Sequence, residues 1–264
     1  MKKALILLLS VIVLILPLAA CGGDAEGVTT VRVGTSNDYP PFCYLDDSGA
    51  LTGYEVALLK AVDEKLPQYK FKYEVLEFKT ILTSLDQGRI DLAAHQFGKN
   101  DEREEKYRFG TVGYYSAADY IVVNENTTGI ESIDDLSGKK VSVAPASLWA
   151  LLLEDYNKEH PDKAPIDILY FESTPEILVK NLQGGVIDAT LLTESDLNLM
   201  NTFLGTKFRA VGEPLSNTET YHIYRKDATE LQSAIDGALK ELQESGELAA
   251  LSKKAVDDFF AAAK

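Results

Sequence analysis

Residues 91–115 read DLAAHQFGKNDEREEKYRFGTVGYY, and the order of residue types in this stretch decides how the chain is built. Residues 90–94 are apolar enough for a short strand, and the strand end lies at 97–99. Asn100 then stands where it caps a short helix whose first turn carries Asp101 and Glu102. A cap oxygen accepts from the free amides of the first turn, and acids there offset the positive end of the helix dipole. Arg103 lies one turn in, close to the strand end. A guanidinium at that place can grip a carboxylate through two parallel hydrogen bonds. A surface arginine paired with Glu102 or Glu105 is the open alternative.

Working outward, the same alternation of strand and helix repeats. Residues 30–35 alternate as a strand and end in a polar turn at 36–41. Residues 54–66 place Val56, Leu59, Val62 and Leu66 at helical spacing. A strand is expected at 71–76, then a helix at 79–87 with Ile81, Leu82 and Leu85 inward and Gly88 as its stop. After an apolar run at 120–123 the pattern begins again, with strands at 140–144, 166–171 and 186–192 and helices at 147–157 and 174–182. Two β-α-β-α-β units, 30–94 and 140–192, predict an α/β fold of parallel sheets covered by helices, with ligands at the carboxyl ends of the strands. Two amphipathic helices, 229–244 and 247–260, close the chain.

The first residues are of another kind. Lys2 and Lys3 precede an apolar stretch, 4–18, broken near its end by Pro17. A basic start, an apolar run and small residues make a secretory signal, and the run is short for a membrane span of about 20 apolar residues. Leu18-Ala19-Ala20-Cys21-Gly22 resembles the bacterial lipobox, which implies cleavage before Cys21 and lipid on its thiol. The expected division is therefore a signal peptide at 1–20 and a lipidated tether at 21–29. Cleavage leaves 244 of the 264 residues and, by removing two lysines, moves the formal charge from −15 to −17. Such acidity argues against nucleic acid and against electrostatic adhesion to anionic lipid, so the membrane is reached through the anchor only. Cys43 is then the single remaining thiol, and no internal disulfide can form.

Catalytic and nucleotide signatures are absent from the sequence: no Gly-x-Gly-x-x-Gly, no Walker loop, no Gly-x-Ser-x-Gly and no His-Glu-x-x-His. His95, His160 and His222 are too far apart for metal-ligand spacing. No catalytic residue, metal or cofactor is expected.

The segment VGTSNDYPPFCYLDDSGALTGYEVALLKAV (33–62), the Gly88–Asp91 turn, and Asn100-Asp-Glu-Arg103 followed by Phe109 and Tyr114 together resemble the family 3 extracellular solute-binding proteins. The similarity runs over 30–260 and includes Leu136-Ser-Gly-Lys-Lys-Val141 and the turn and strand at 184–189. The resemblance implies the two-lobed type II periplasmic-binding fold, each lobe a mostly parallel sheet with flanking helices. Lobe 1 would comprise 30–119 plus 222–264, and lobe 2 residues 120–221 with the hinge strands. It further implies a monomer that binds an amino acid between the lobes and delivers it to an ABC permease. Carried over by position, Arg103 would hold the ligand carboxylate, with Asn100 donating from its amide where the family has Thr or Ser. The Gly98 carbonyl would accept from the α-amino group beside Phe97, Tyr39 would stack on the ligand flanked by Phe42, and Ser147 would assist the carboxylate from a helix start. For Phe42 and Ser147 a plain core residue and a bare helix cap are the alternatives.

Departures from the family pattern fall on the ammonium side. The usual Asp after Gly-x-x-Asp-Ala is replaced by Thr193 with Glu194 beside it, and Ser36 replaces a common acid in the first loop. Ala146 stands where the family favours Gly, and Trp149 either walls the pocket or packs between helices. The sequence HQFGKNDERE with KYRFG looks most like the branch that takes up cystine and related sulfur amino acids. Two other functions remain open from sequence: a sensory lobe, and a secreted dehydratase-like enzyme whose acid/base set would be Glu194 with Lys99 or His95.

Overall fold

The structure is a computed structural model in which residues 27–171 and 174–262 are described. The expected signal peptide and lipidation at Cys21 lie outside the described residues. The first unit opens with β1 (Thr29–Thr35) and a ribbon of β2 (Asp38–Tyr39), β3 (Cys43–Leu45) and β4 (Leu51–Thr52). It continues through α1 (Tyr54–Lys65), β5 (Tyr69–Val75), α2 (Phe78–Asp86) and β6 (Leu92–Gly98). A short α3 (Asp101–Lys106) and β7 (Arg108–Phe109) lead into β8 (Tyr115–Val123). The second unit is β9 (Lys140–Val143), α4 (Leu148–Glu159), β10 (Asp167–Tyr170), α5 (Pro175–Gln183) and β11 (Ala189–Thr193). Then come α6 (Glu194–Phe203), the long β12 (Arg209–Tyr224), α7 (Thr229–Glu244) and α8 (Glu247–Ala262).

Both expected units are present with shifted bounds: β6 runs on to Gly98, past residue 94, and β11 starts at Ala189 instead of residue 186. The strands follow the order β10-β9-β11-β8-β12-β6-β1-β5. A parallel triplet stands at each end, and β8 and β12 run antiparallel through the middle. The chain crosses from one triplet to the other along β8 and returns along β12, whose pairing slips between Val211 and Ser216.

Each triplet is covered on both faces, as parallel sheets require. In the first lobe, Leu58, Leu59 and Val62 of α1 meet Val31 and Val33 of β1 and Leu239 of α7. On the other face, Ile81 and Leu85 of α2 meet Ala93 and Phe97. Val56, expected inward, is half-buried; the helix turns Tyr54 and Glu55 into the core instead. In the second lobe, Ala150 and Leu153 of α4 lie on Val141 and Leu191, while Val179, Leu182 and Met200 cover the reverse side. Fully burying one such Leu or Val stabilises by about 1.5–3 kcal/mol, so each lobe carries its own core. Two lobes of this build, joined by crossing strands, form the type II periplasmic-binding architecture.

One helix belongs to both lobes. α8 packs on the first core through Leu248, Leu251 and Ala255, and its end reaches the second through Phe259 and Phe260. The Phe259 ring lies 5.2 Å from Phe203 at the end of α6 and 5.0 Å from Tyr44 of the ribbon.

Candidate functional site

The carboxyl ends of β6, β9 and β11 open on one cavity of about 260 Å³ between the lobes. The first lobe supplies Tyr39, Phe78, residues 95–98 and Arg103. The second supplies Ser147, Leu148 and Trp149 at the start of α4, Phe171, and Thr193 and Asp196 around the start of α6. The crossing strands add Tyr115, Asp119, Thr218 and Thr220.

Arg103 is the centre of its charge pattern. The side chain is 7% exposed, and Nη1 donates to the Gly98 carbonyl at 2.8 Å. Nη2 donates to the Ala146 carbonyl of the opposite lobe at 2.7 Å, and the Phe97 ring centroid lies 5.3 Å from Cζ. Burial pulls its pKa down to about 10, so it remains a cation at neutral pH. Asn100 is the cap that the sequence predicts: its side chain accepts the Arg103 N–H at 2.7 Å.

The lobes touch at this point because Gly98 has no side chain; a Cβ there would overlap Leu148 and Thr218. Ala146 adopts φ +60, the left-handed conformation that explains why glycine suits the position. Ser147 caps α4, accepting from Ala150 N–H at 3.1 Å and donating to the Ala144 carbonyl at 2.7 Å. The free amides of that helix start and Arg103 both favour an anion.

Opposite this cation stand two carboxylates that sequence reading missed. Asp119 is 2% exposed and accepts from Ser216 and Thr218 hydroxyls. Asp196 is 6% exposed and forms a reciprocal capping box with Thr193, whose hydroxyl donates to it at 2.7 Å. Tyr39 lines the same cavity from the other lobe. Burial pushes the Asp196 carboxyl up to about 6; the bonds from Thr193 oppose the rise and the nearby Asp119 charge adds to it. The pattern Thr193-x-x-Asp196 is a helix-start signature, and Asp119 interrupts an apolar strand; both signals were in the sequence.

Of the expected site residues, Tyr39, Phe97, Gly98, Arg103, Ser147 and Thr193 line the cavity, and four others do not. Ser36 lies beneath it, its Oγ 2.8 Å from His95 Nε2. Phe42 is core, 4.9 Å from Tyr39 and 5.0 Å from Tyr115 between ring centroids. Asn100 caps α3 with its carbonyl oxygen and does not reach the cavity, and Glu194 is exposed in the first turn of α6. The Gly98 carbonyl is already taken by Arg103. Trp149 both lines the cavity and packs on the second core, and Cys43 is fully buried outside the lining. The acid/base set of the enzymatic alternative is not assembled. Glu194 and Lys99 are outside the cavity, with Lys99 Nζ 4.1 Å over the Tyr221 ring, and only His95 faces it. Among the described residues no group of acids, His and Cys has the arrangement of a metal site.

Comparison with known proteins identifies the family and the fold. The model of the bacterial extracellular solute-binding proteins, family 3, matches residues 31–258. The L-cystine-binding protein TcyK of Bacillus subtilis is 36% identical over 252 residues, 93% of this chain and 93% of its own. The L-cystine-binding protein TcyJ of the same organism is 34% identical over 261 residues, 96% of this chain and 94% of its own. A Listeria monocytogenes structure assigned to an L-cystine ABC transporter superposes with a TM-score of 0.81 at 36% identity, over 87% of this chain and 96% of that one.

Proposed function

The chain belongs to the bacterial extracellular solute-binding proteins, family 3, and from that premise we propose that it is the amino-acid receptor of an ABC importer, with L-cystine as its foremost ligand. It is a binding protein and not an enzyme. One observation carries the amino-acid reading: Arg103 is a buried cation facing the cavity, and among the described residues its side chain donates to the neutral carbonyls of Gly98 and Ala146. A buried charge without a counterion is strongly unfavourable, and a ligand carboxylate relieves it. The start of α4 at Ser147 assists from the other lobe. Asp119 and Asp196 receive the ammonium group, taking the part expected of Thr193 or Glu194. Thr193 lines the same corner, but its hydroxyl is occupied by Asp196.

Support for cystine comes from the two similar proteins named as L-cystine-binding. The cavity wall around Phe97, Phe171, Leu199 and Met200 also suits a disulfide-bearing side chain, which aromatic and thioether groups contact favourably. We assign 30–119 with 222–264 to one lobe and 120–221 to the other, with closure about β8 and β12. In the cell the receptor acts as a monomer, tethered by lipid on Cys21 beside its permease, where tethering raises the effective concentration.

Titration calorimetry and thermal denaturation against L-cystine, cysteine, arginine, glutamine and an uncharged sugar test the reading. A ligand at 100 times its Kd stabilises the native state by about 2.7 kcal/mol. Stabilisation by the sugar and by none of the amino acids would overturn it; stabilisation by arginine alone would overturn the cystine assignment only. Mass spectrometry of the membrane-bound protein should find a diacylglyceryl-modified Cys21 at the N-terminus, and Cys21→Ser should release the protein to the medium.

A further inference from the structure

The floor of the cavity departs from a regular strand. β6 and β12 pair at Gly98–Thr220 and Phe97–Tyr221, and again at Ala93–Ile223 and Leu92–Tyr224. Between these pairs β12 contributes only His222, whereas β6 contributes Ala94, His95 and Gln96. In a regular strand alternate side chains turn away from a given face. Because of this bulge, His95, Gln96, Phe97 and Gly98 all line the cavity in succession. Bulges next to binding sites re-aim side chains in this way. The bulge holds Gln96 at φ +50, a left-handed conformation that costs a residue with a Cβ about 1–2 kcal/mol.

A single buried carboxylate offsets that cost. Glu55, in the first turn of α1, is 0% exposed and does not line the cavity. One of its oxygens accepts the Gln96 main-chain N–H at 2.8 Å, the Gln96 side-chain amide at 3.0 Å and the Tyr114 hydroxyl at 2.7 Å. Its other oxygen lies 3.7 Å from Nε2 of His222, the residue opposite the bulge. The Gln96 carboxamide oxygen accepts in turn from Thr220, at 3.1 Å. Burial opposes the charge on Glu55, but the adjacent His222 and the donors from Tyr114 and Gln96 keep its carboxyl below the ordinary range.

We infer that Glu55 is a positioning residue of the ligand site: its carboxylate builds the Gln96 bulge and thereby sets where the Phe97 ring and the Gly98 carbonyl stand. Those two groups are what Arg103 rests on, at 5.3 Å and 2.8 Å. Burying a carboxylate in a core is unfavourable compared with an apolar side chain of similar size. Here the donors from Gln96 and Tyr114 and the neighbouring His222 offset that cost, and the same bonds fix the shape of the cavity floor. For its ligand readout the inference rests on the amino-acid-binding function proposed above.

The experiment compares Glu55→Gln, Glu55→Ala, Gln96→Gly and the double variant Glu55→Ala/Gln96→Gly. Without ligand, amide NMR is read first. The Gln96 N–H should resonate far downfield, as expected for a donor to a carboxylate, and Glu55→Ala should shift residues 95–98 together. L-cystine affinity is read second. Glu55→Ala should weaken binding by about tenfold or more, the scale of an unmade buried hydrogen bond, while Glu55→Gln, which keeps an acceptor, loses less. In the Gln96→Gly background glycine adopts the left-handed conformation unaided, so adding Glu55→Ala should change affinity by less than about threefold. Wild-type affinity and unmoved 95–98 resonances in Glu55→Ala would overturn the inference. So would an equal loss with and without Gln96→Gly; if Glu55→Ala alone does not fold, a loss of about tenfold or more on adding Glu55→Ala to Gln96→Gly overturns the inference instead. If the wild type binds no amino acid, the functional proposal fails, and the ligand-free NMR still tests Glu55.

Discussion

Replacing Asp196 by Asn should stabilise the ligand-free protein while damaging its capacity to bind. The carboxyl has an ordinary pKa of 3.8 and is raised to about 6 in the folded chain, chiefly by burial. At 1.36 kcal/mol per pKa unit, holding it ionised costs the folded state about 3 kcal/mol. The sign follows from proton counting. Between about 4 and 6 the folded chain holds the proton that the unfolded chain has released, so this group makes stability fall as pH rises through the window. The full cost applies above about 6 and vanishes below the unfolded value. The substituted carboxamide keeps an oxygen for the Thr193 cap and carries no charge. Urea denaturation should therefore show the variant more stable at pH 7.5, by up to about 3 kcal/mol, and equal to wild type near pH 3.5. A ligand ammonium reverses the balance, because it pairs with the charge that burial penalises. Wild-type affinity should weaken from pH 7 to pH 5, and the variant should bind weakly and without that dependence. A variant no more stable at pH 7.5, or one whose advantage is the same at pH 3.5, would refute the reasoning.

Arg103→Ala should abolish detectable amino-acid binding, since losing one partner of a buried charge pair costs about 2–5 kcal/mol, while circular dichroism stays native. Gly98→Ala places a methyl where Leu148 and Thr218 meet it, so calorimetry should show weakened binding and small-angle scattering a more open particle. Ala146→Gly relieves a left-handed alanine worth about 1 kcal/mol or more against about 0.4–1 kcal/mol of added unfolded-chain entropy. Its urea midpoint should be equal to or slightly above wild type.

Much of this was legible in the sequence, for physical reasons that also explain what was not. The two β-α-β-α-β units stand out because their helices alternate buried and solvated faces and their strands carry apolar residues at alternate positions, as in β1, β5 and β9. β12 escapes the same test: Gly212, Pro214, Ser216, Asn217 and Glu219 give it the composition of a loop. It is a strand because β8 supplies its hydrogen bonds, which no local pattern records. His95 and Gln96 extend β6 past its apolar run as a bulge, held from below by a residue forty-one positions away in sequence, which no local pattern records. Arg103 was found through the helix cap of Asn100, a local signal that the structure bears out. Asp196 is hidden because an acid in a first helical turn is ordinarily solvated, where it offsets the helix dipole. Here the third helical position turns inward instead, bonded back to Thr193.

The reach of α8 into both lobes gives the receptor a second handle on its own affinity. Contacts of Phe259 with Tyr44 and Phe203 lie outside the ligand cavity, yet they join the same two bodies that the ligand joins. In the lobe closure proposed above, whatever free energy they add to the closed state is added for every ligand alike. Selectivity among amino acids is then written in the cavity, while the overall tightness of capture can drift through the aromatic residues of one distant helix end. Evolution or design can adjust the two separately, and a receptor made too tight to release its cargo can be loosened there without changing what it recognises.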